Sequence, residues 1–141
     1  MALSHTDTSE IIPDHGTLDG EALINLAERY STPLYVYDGD QILKNFRAFQ
    51  KAVSNLDSKV HFAVKANSSI AILSLLHTAG AGADIVSGGE LQRALTAQIN
   101  PKDIIFSGVG KTDDELLLAM HHGVGQINIE SGAELDRIAA L

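Results

Sequence analysis

The apolar positions of the chain alternate between stripes with helical spacing and short continuous runs. Leu23, Leu26, Ala27 and Tyr30 recur at i, i+3, i+4 and i+7, one face of a helix started near Asp19. Pro33 breaks that helix, and Leu34-Tyr35-Val36-Tyr37 follows as a short β-rich run. Asp38, with Gln41 three residues later, has the spacing of a capping box. It predicts a second helix whose apolar stripe is Ile42, Phe46, Phe49 and Val53.

A repeating unit comes next. Four β-like runs, Val60–Lys65, Ala83–Ser87, Asp103–Ser107 and Gln126–Glu130, begin 23, 20 and 23 residues apart. Three are followed by the same start signal: Ser87-Gly88-Gly89-Glu90, Thr112-Asp113-Asp114-Glu115 and Ser131-Gly132-Ala133-Glu134. In each, a hydroxyl can cap the amide three residues on while the Glu reaches back to the cap. The intervening helices close at Gly80, at Asn100-Pro101 and at Gly123, which are stop signals.

Strand, short loop, capped helix, glycine, strand is the order of a parallel sheet wound with helices, either doubly wound or closed into an eightfold barrel. The period of two favours the barrel. In the first run Val60, Phe62 and Val64 face one way, toward outer helices, while His61, Ala63 and Lys65 face inward. In the second run Asp84 shares a face with Val86. Only four such units are present, so the expected fold is α/β, the first half of a (β/α)8 TIM-type barrel. An open half would leave a sheet edge exposed, which suggests a fragment of a longer chain. The expected organisation is a flexible acidic lead-in over 1–18, a helix and strand over 19–38, and four βα units over 39–141.

Composition changes the picture in three ways. A 45% hydrophobic content over 141 residues excludes a disordered coil and supports one modest core. A net charge of −8 argues against nucleic acid as a partner, and no apolar run is long enough for a membrane span. Zero Cys excludes a disulfide scaffold, a zinc knuckle and a cysteine nucleophile within these residues. The first twenty residues hold Asp7, Glu10, Asp14 and Asp19 and no Lys or Arg, the opposite of a transit or secretory peptide. A cytoplasmic location is expected.

Most candidate motifs have plain explanations. Gly110-Lys111-Thr112 has the ending of a P-loop, but Ile105 stands where that motif needs its first glycine. Gly80 and Gly82 precede a strand, and Ile85 occupies the third glycine position of a dinucleotide fingerprint. No two of the six His are spaced i, i+4 on a helix with a third ligand in view, and no metal site is expected. His121-His122, just before Gly123, suits the negative end of a helix dipole. Asp113-Asp114 and Glu134 with Asp136 sit at helix starts, where carboxylates complement the dipole. Lys65 stands apart. A lysine ending a buried parallel strand and facing a barrel axis is poorly solvated, which frees its lone pair for Schiff-base chemistry. A lysine that merely snorkels out at a strand end is the equally weighted alternative. Asp84, on the next strand and the same face, could hold the amine when it is not engaged.

At Lys65 the chain meets a known pattern. Val60-His61-Phe62-Ala63-Val64-Lys65-Ala66-Asn67 resembles the cofactor-lysine strand of the alanine-racemase-like, barrel-type pyridoxal-phosphate enzymes. Thr32-Pro33-Leu34-Tyr35-Val36-Tyr37-Asp38 resembles the opening strand of diaminopimelate decarboxylases. The segments Gly82–Leu91 and Ile105–Thr112 resemble the second and third barrel strands of that family, with their turns. The likeness runs from about Leu18 to the last residue. The resemblance implies a pyridoxal 5'-phosphate barrel plus a β-rich domain, to which Leu34–Tyr37 contributes one strand and whose remainder would lie beyond Leu141. It implies decarboxylation of meso-diaminopimelate to L-lysine and CO2. Lys65 matches the residue that forms the internal aldimine, Asp84 matches the acid near it, and both are implied cofactor contacts. Glu90 lies in the matching turn, where capping already accounts for it. Ala83 departs from the family, which tends to carry Phe before the Asp. The family is typically homodimeric, and its phosphate cup, pyridine-nitrogen acid and substrate contacts would lie beyond Leu141. Alternatives are another barrel-type amino-acid decarboxylase or racemase, or a non-catalytic pyridoxal-phosphate-binding protein. The 141 residues alone are expected to be inactive, because half a barrel cannot surround a cofactor.

Overall fold

The computed structural model describes residues 18–141. The expected acidic lead-in therefore lies outside the described residues, except for Leu18. The chain divides into two compact units, Met1–Ile42 and Leu43–Leu141.

In the first unit, helix α1 spans Gly20–Tyr30, as its stripe predicts, and Asp19 caps it by accepting a hydrogen bond from the Ala22 amide at 2.8 Å. None of its residues is buried; Leu23 and Tyr30, both in the expected stripe, stay exposed. Leu34–Tyr37 forms no strand, and no strand among the described residues pairs with it. A β-rich run becomes a strand only when a neighbour takes up its backbone groups. Helix α2, spanning Gly39–Ala52, begins in this unit and lies mostly in the second, with Asp38 accepting from the Gln41 amide at 2.9 Å. Of its predicted stripe only Phe46 is buried, while Phe49 is exposed.

The second unit is the predicted repeat. Strand β1 (His61–Ala63) is followed by helix α3 (Ile70–Thr78), β2 (Gly82–Ile85) by α4 (Gly88–Thr96), β3 (Ile104–Phe106) by α5 (Asp113–His122), and β4 (Gln126–Ile127) by α6 (Gly132–Ala140). The strands form one parallel sheet in the order β1-β2-β3-β4, and consecutive helices pack on one another. Each strand is shorter than its run. Lys65 in particular falls in a 3-10 turn, Val64–Ala66, just past the end of β1.

Register sorts the side chains onto two faces. Phe62 pairs with Ala83, Ala83 with Ile104, and Phe106 with Ile127. These residues, with Val64 and Ile85, meet Leu73, Leu91, Ala94 and Ala119 from the helices in one core, where Val64, Ala83, Ile85, Ile104 and Phe106 are all fully buried. Ala83, the position that departs from the resembling family, therefore packs under the helices and not beside Asp84. The opposite face carries Ala63, Asp84 and Ile105 in one row, with His61 and Gly82 in the row before it. At Gly82 the sheet is pinched. A Cβ there would stand 2.5 Å from the Asp103 carbonyl oxygen and 2.7 Å from His61 Nε2, so no side chain fits.

All three predicted caps form. Ser87 accepts from the Glu90 amide, Thr112 from Glu115 and Ser131 from Glu134. Only Glu115 closes a reciprocal box, accepting from the Thr112 amide at 3.0 Å. Glu90 and Glu134 reach one residue further back, to the amides of Val86 and Glu130, both at 2.8 Å. Gly123, left-handed at φ 69°, ends α5 as its position predicts.

Candidate active site

The C-terminal ends of the strands and the loops beyond them gather the polar side chains of the sheet, the end where barrel enzymes carry their chemistry. Lys65 stands there at the end of β1. Its side chain is exposed and makes no hydrogen bond or ion pair among the described residues. The dry surroundings expected for its amine are therefore not built by these residues. The inward strand face has given way to a 3-10 turn before Lys65 is reached.

Asp84 lies on the inner face of β2, directly beside Ala63 of β1, and is half-buried. Its Oδ1 accepts a hydrogen bond of 2.6 Å from Ser107 Oγ. Ser107 in turn accepts from Asn128 Nδ2 at 3.0 Å, and Asn128 Oδ1 accepts from Gln126 Nε2 at 2.7 Å. Backbone ladders extend just past the assigned strands to hold these residues: the Ser107 amide donates to Ile85 and the Asn128 amide to Phe106, each at 2.8 Å. The structure thus places Asp84 in a polar row shared with β3 and β4 and does not pair it with Lys65.

Lys111 is the buried charge of the site. Its side chain is fully covered, and Nζ donates to the Gly108 carbonyl at 2.7 Å, the Asn128 carbonyl at 2.7 Å and Glu134 Oε1 at 3.0 Å. All three ammonium protons are thereby used, which is what a buried lysine requires. Glu134 Oε2 takes the Glu130 amide, and that bond, followed by the Lys111 contact, holds the Glu134 carboxyl below the ordinary glutamate range. Glu134 was expected to reach back to the cap of its helix and to complement the dipole; it is also the buried partner of Lys111. Arg137 adds a second tie, donating to the Lys111 carbonyl at 2.9 Å and pairing with Asp113.

Neighbouring loops are joined in the same way elsewhere. Glu115 Oε1 accepts from the Gly88 amide at 2.8 Å, linking the third unit to the second. That bond is the main reason its carboxyl is lowered from the ordinary range, with the Thr112 amide next. Arg93 donates to the Ser68 carbonyl at 3.2 Å, linking the second unit to the first. Glu90 serves its own helix start, as expected.

Sequence reasoning named Lys65 and Asp84 and passed over Ser107, Asn128 and Lys111. Ser107 and Asn128 were within reach, since the period of two that turns Asp84 inward does the same for Ser107 beyond Ile105 and for Asn128 beyond Gln126. Lys111 gave no such signal, because its carboxylate partner lies 23 residues away.

A pyridoxal group fits one part of this surface. Lys65 offers a primary amine with no competing bond among the described residues at the end of β1, and the inner face of the next strand carries a carboxylate.

Residues 39–141 match the family model described as "Pyridoxal-dependent decarboxylase, pyridoxal binding domain". The chain is 48% identical over 120 residues to the diaminopimelate decarboxylase of Pseudomonas aeruginosa, covering 85% of this chain and 29% of that protein. Among solved structures, one from Aquifex aeolicus superposes with a TM-score of 0.80 at 45% identity, covering 84% of this chain and 29% of that one. The diaminopimelate decarboxylase of Helicobacter pylori, crystallised with L-lysine, gives 0.80 at 42% identity, covering 84% and 30%. The barrel-type expectation for the fold is met by these neighbours, and the chain spans about three-tenths of the length of the relatives it matches. With its sheet, its capped βα units and its match over residues 39–141, the chain belongs to the pyridoxal-binding domain family of the pyridoxal-dependent decarboxylases.

Proposed function

We propose that the whole protein carrying this chain decarboxylates meso-diaminopimelate to L-lysine and CO2 with pyridoxal 5'-phosphate. Lys65 is the covalent anchor of the cofactor and Asp84 a cofactor-binding carboxylate. The curated relatives that are 43–48% identical and carry the name diaminopimelate decarboxylase support this reading, as does the L-lysine held by the Helicobacter pylori structure. The observation that carries it in this chain is the Lys65 amine, without a partner among the described residues, at the C-terminal end of β1 and one strand from the inward Asp84.

Bound at this position, pyridoxal phosphate supplies an electron sink for the pair released when a carboxylate leaves. The chain's own residues do the rest of what is assigned to them. Lys65 would hold the cofactor covalently through its amine. Asp84 would present its carboxylate to that group from the neighbouring strand. The core under Phe62, Ala83 and Ile85 fixes the backbone of β1 and β2, from which Lys65 and Asp84 project. The remaining substrate contacts come from the whole protein, which we take to be a cytoplasmic homodimer.

The test is borohydride reduction of the whole protein with pyridoxal phosphate, followed by peptide mapping. The cofactor mass is expected on the peptide containing Lys65. Lys65→Ala should lose both the label and turnover of meso-diaminopimelate; turnover at the normal rate in that variant would overturn the assignment.

A further inference from the structure

The hydrogen bonds on the inner face run in one direction. Gln126 Nε2 donates to Asn128 Oδ1 at 2.7 Å, Asn128 Nδ2 donates to Ser107 Oγ at 3.0 Å, and Ser107 Oγ donates to Asp84 Oδ1 at 2.6 Å. A hydroxyl has one proton to give. Because Asn128 presents its NH2 group to Ser107, that proton is free for the carboxylate. Were the Asn128 amide turned over, its oxygen would claim the proton and leave Asp84 facing a lone pair. Two features favour this way round: Gln126 supplies a donor to the Asn128 side-chain oxygen, and the Asp84 carboxylate, which only accepts, takes the one Ser107 proton. Successive donors also polarise one another, so the last bond, onto a charged acceptor, gains from those behind it.

The chain uses Asp84 Oδ1 only. Oδ2 takes no hydrogen bond among the described residues and remains an open acceptor on the inner face, on the strand next to the one Lys65 ends. We propose that Ser107 and Asn128 are positioning residues. Through a one-way relay of donors they fix the Asp84 carboxylate with one oxygen occupied and the other presented to the Lys65–cofactor site. Neither residue touches the cofactor, and both act through Asp84. This inference rests on the cofactor reading above.

The test uses the whole protein and the rate at which pyridoxal phosphate becomes borohydride-trappable on Lys65, measured by peptide mass, alongside kcat and KM. Ser107→Ala removes the terminal donor. Asn128→Asp replaces the donor behind it with an acceptor that takes the Ser107 proton, reversing the relay at almost constant volume. Each should slow labelling by about tenfold or more, the scale of one lost hydrogen bond to a charged group. Ser107→Thr keeps the hydroxyl and should stay close to the unmodified protein. In an Asp84→Asn background, Ser107→Ala and Asn128→Asp should have no further effect, a pattern that simple loss of packing would not produce. Unchanged labelling in both single variants, additive losses in the Asp84→Asn background, or equal losses in Ser107→Ala and Ser107→Thr would each overturn the relay. Absence of label on Lys65 in the unmodified protein would instead overturn the cofactor reading, so the two failures are distinguishable.

Discussion

Exchanging Lys111 for methionine keeps an unbranched side chain one atom shorter and removes its charge. The consequences follow from the three bonds of its ammonium. In Lys111→Met the carbonyls of Gly108 and Asn128 lose their donor, and Glu134 keeps a buried carboxylate whose only remaining contact of this group is the Glu130 amide. Both side chains of the pair are almost wholly covered, at 0% and 6% exposure, so water offers little relief. Breaking a buried ion pair from one side costs about 3–5 kcal/mol, most of it the penalty of the charge left behind. Glu134→Gln is milder, at roughly 1–3 kcal/mol, because an amide oxygen can still serve one of the two donors that the carboxylate served. Its nitrogen then faces the other donor. The double variant should cost less than the sum of the two, since that nitrogen no longer meets an ammonium.

Native-state hydrogen exchange reads these costs locally, whatever the rest of the protein does. The amides of Glu130, bonded to Glu134 Oε2, and Asn128, bonded to the Phe106 carbonyl, report on the clamp. At about 1.4 kcal/mol per decade, Lys111→Met should lower their protection roughly a hundredfold to a few thousandfold. The Gly82 amide, bonded to Val60 at the far end of the strands, should change little. A loss of less than about tenfold at Glu130 would refute the view that Lys111 is a buried, fully engaged charge.

Two further outcomes follow from other parts of the sheet. Gly82→Ala pushes a methyl group against backbone at Asp103 and against the His61 ring, and should cost about 1–3 kcal/mol or more, read as a lowered thermal midpoint; an unchanged midpoint would show that the pinch is soft. Acidification should also weaken the fold through Glu115 and Glu134, whose carboxyls are held below the ordinary range by the Gly88 and Glu130 amides respectively. Their contribution is complete above the ordinary glutamate range and is lost as pH falls through it toward the lowered folded values. Denaturation measured across acid pH should therefore show a steeper loss in the unmodified protein than in Glu115→Gln; parallel curves would count against it.

Local signals were the ones legible in the sequence. Ser87, Thr112 and Ser131 each cap the helix their spacing announces, because an N-cap bond spans three residues and needs nothing from elsewhere. The core face of the sheet was readable for a similar reason, since alternation in Val60–Val64 reports directly on which side meets the helices. What depends on partners is not settled by local pattern: Leu34–Tyr37 has strand composition and no partner strand among the described residues, and Phe49 continues a stripe yet lies open. The surroundings of Lys65 could not be read either, because a 3-10 turn of three residues carries no periodicity of its own. Lys111 was hidden most completely. Its loop setting, between Gly110 and the capping Thr112, looks like punctuation, and only the fold brings Glu134 to it.

The ties between loops have a consequence for how the chain is made. Arg93 reaches Ser68 from 25 residues on, Glu115 reaches Gly88 from 27, Lys111 meets Glu134 across 23, and Arg137 returns to Lys111 across 26. Each tie joins one unit to the next, and the strands are laid side by side in the order of their synthesis. Within β1–β4, a nascent chain leaving the ribosome therefore lays each strand beside the one made just before it. Every new unit finds its docking surface completed moments earlier, and the loop that must close to reach it stays about the same length each time. Growth of this kind proceeds by accretion at one edge of the sheet, while β1 keeps the other.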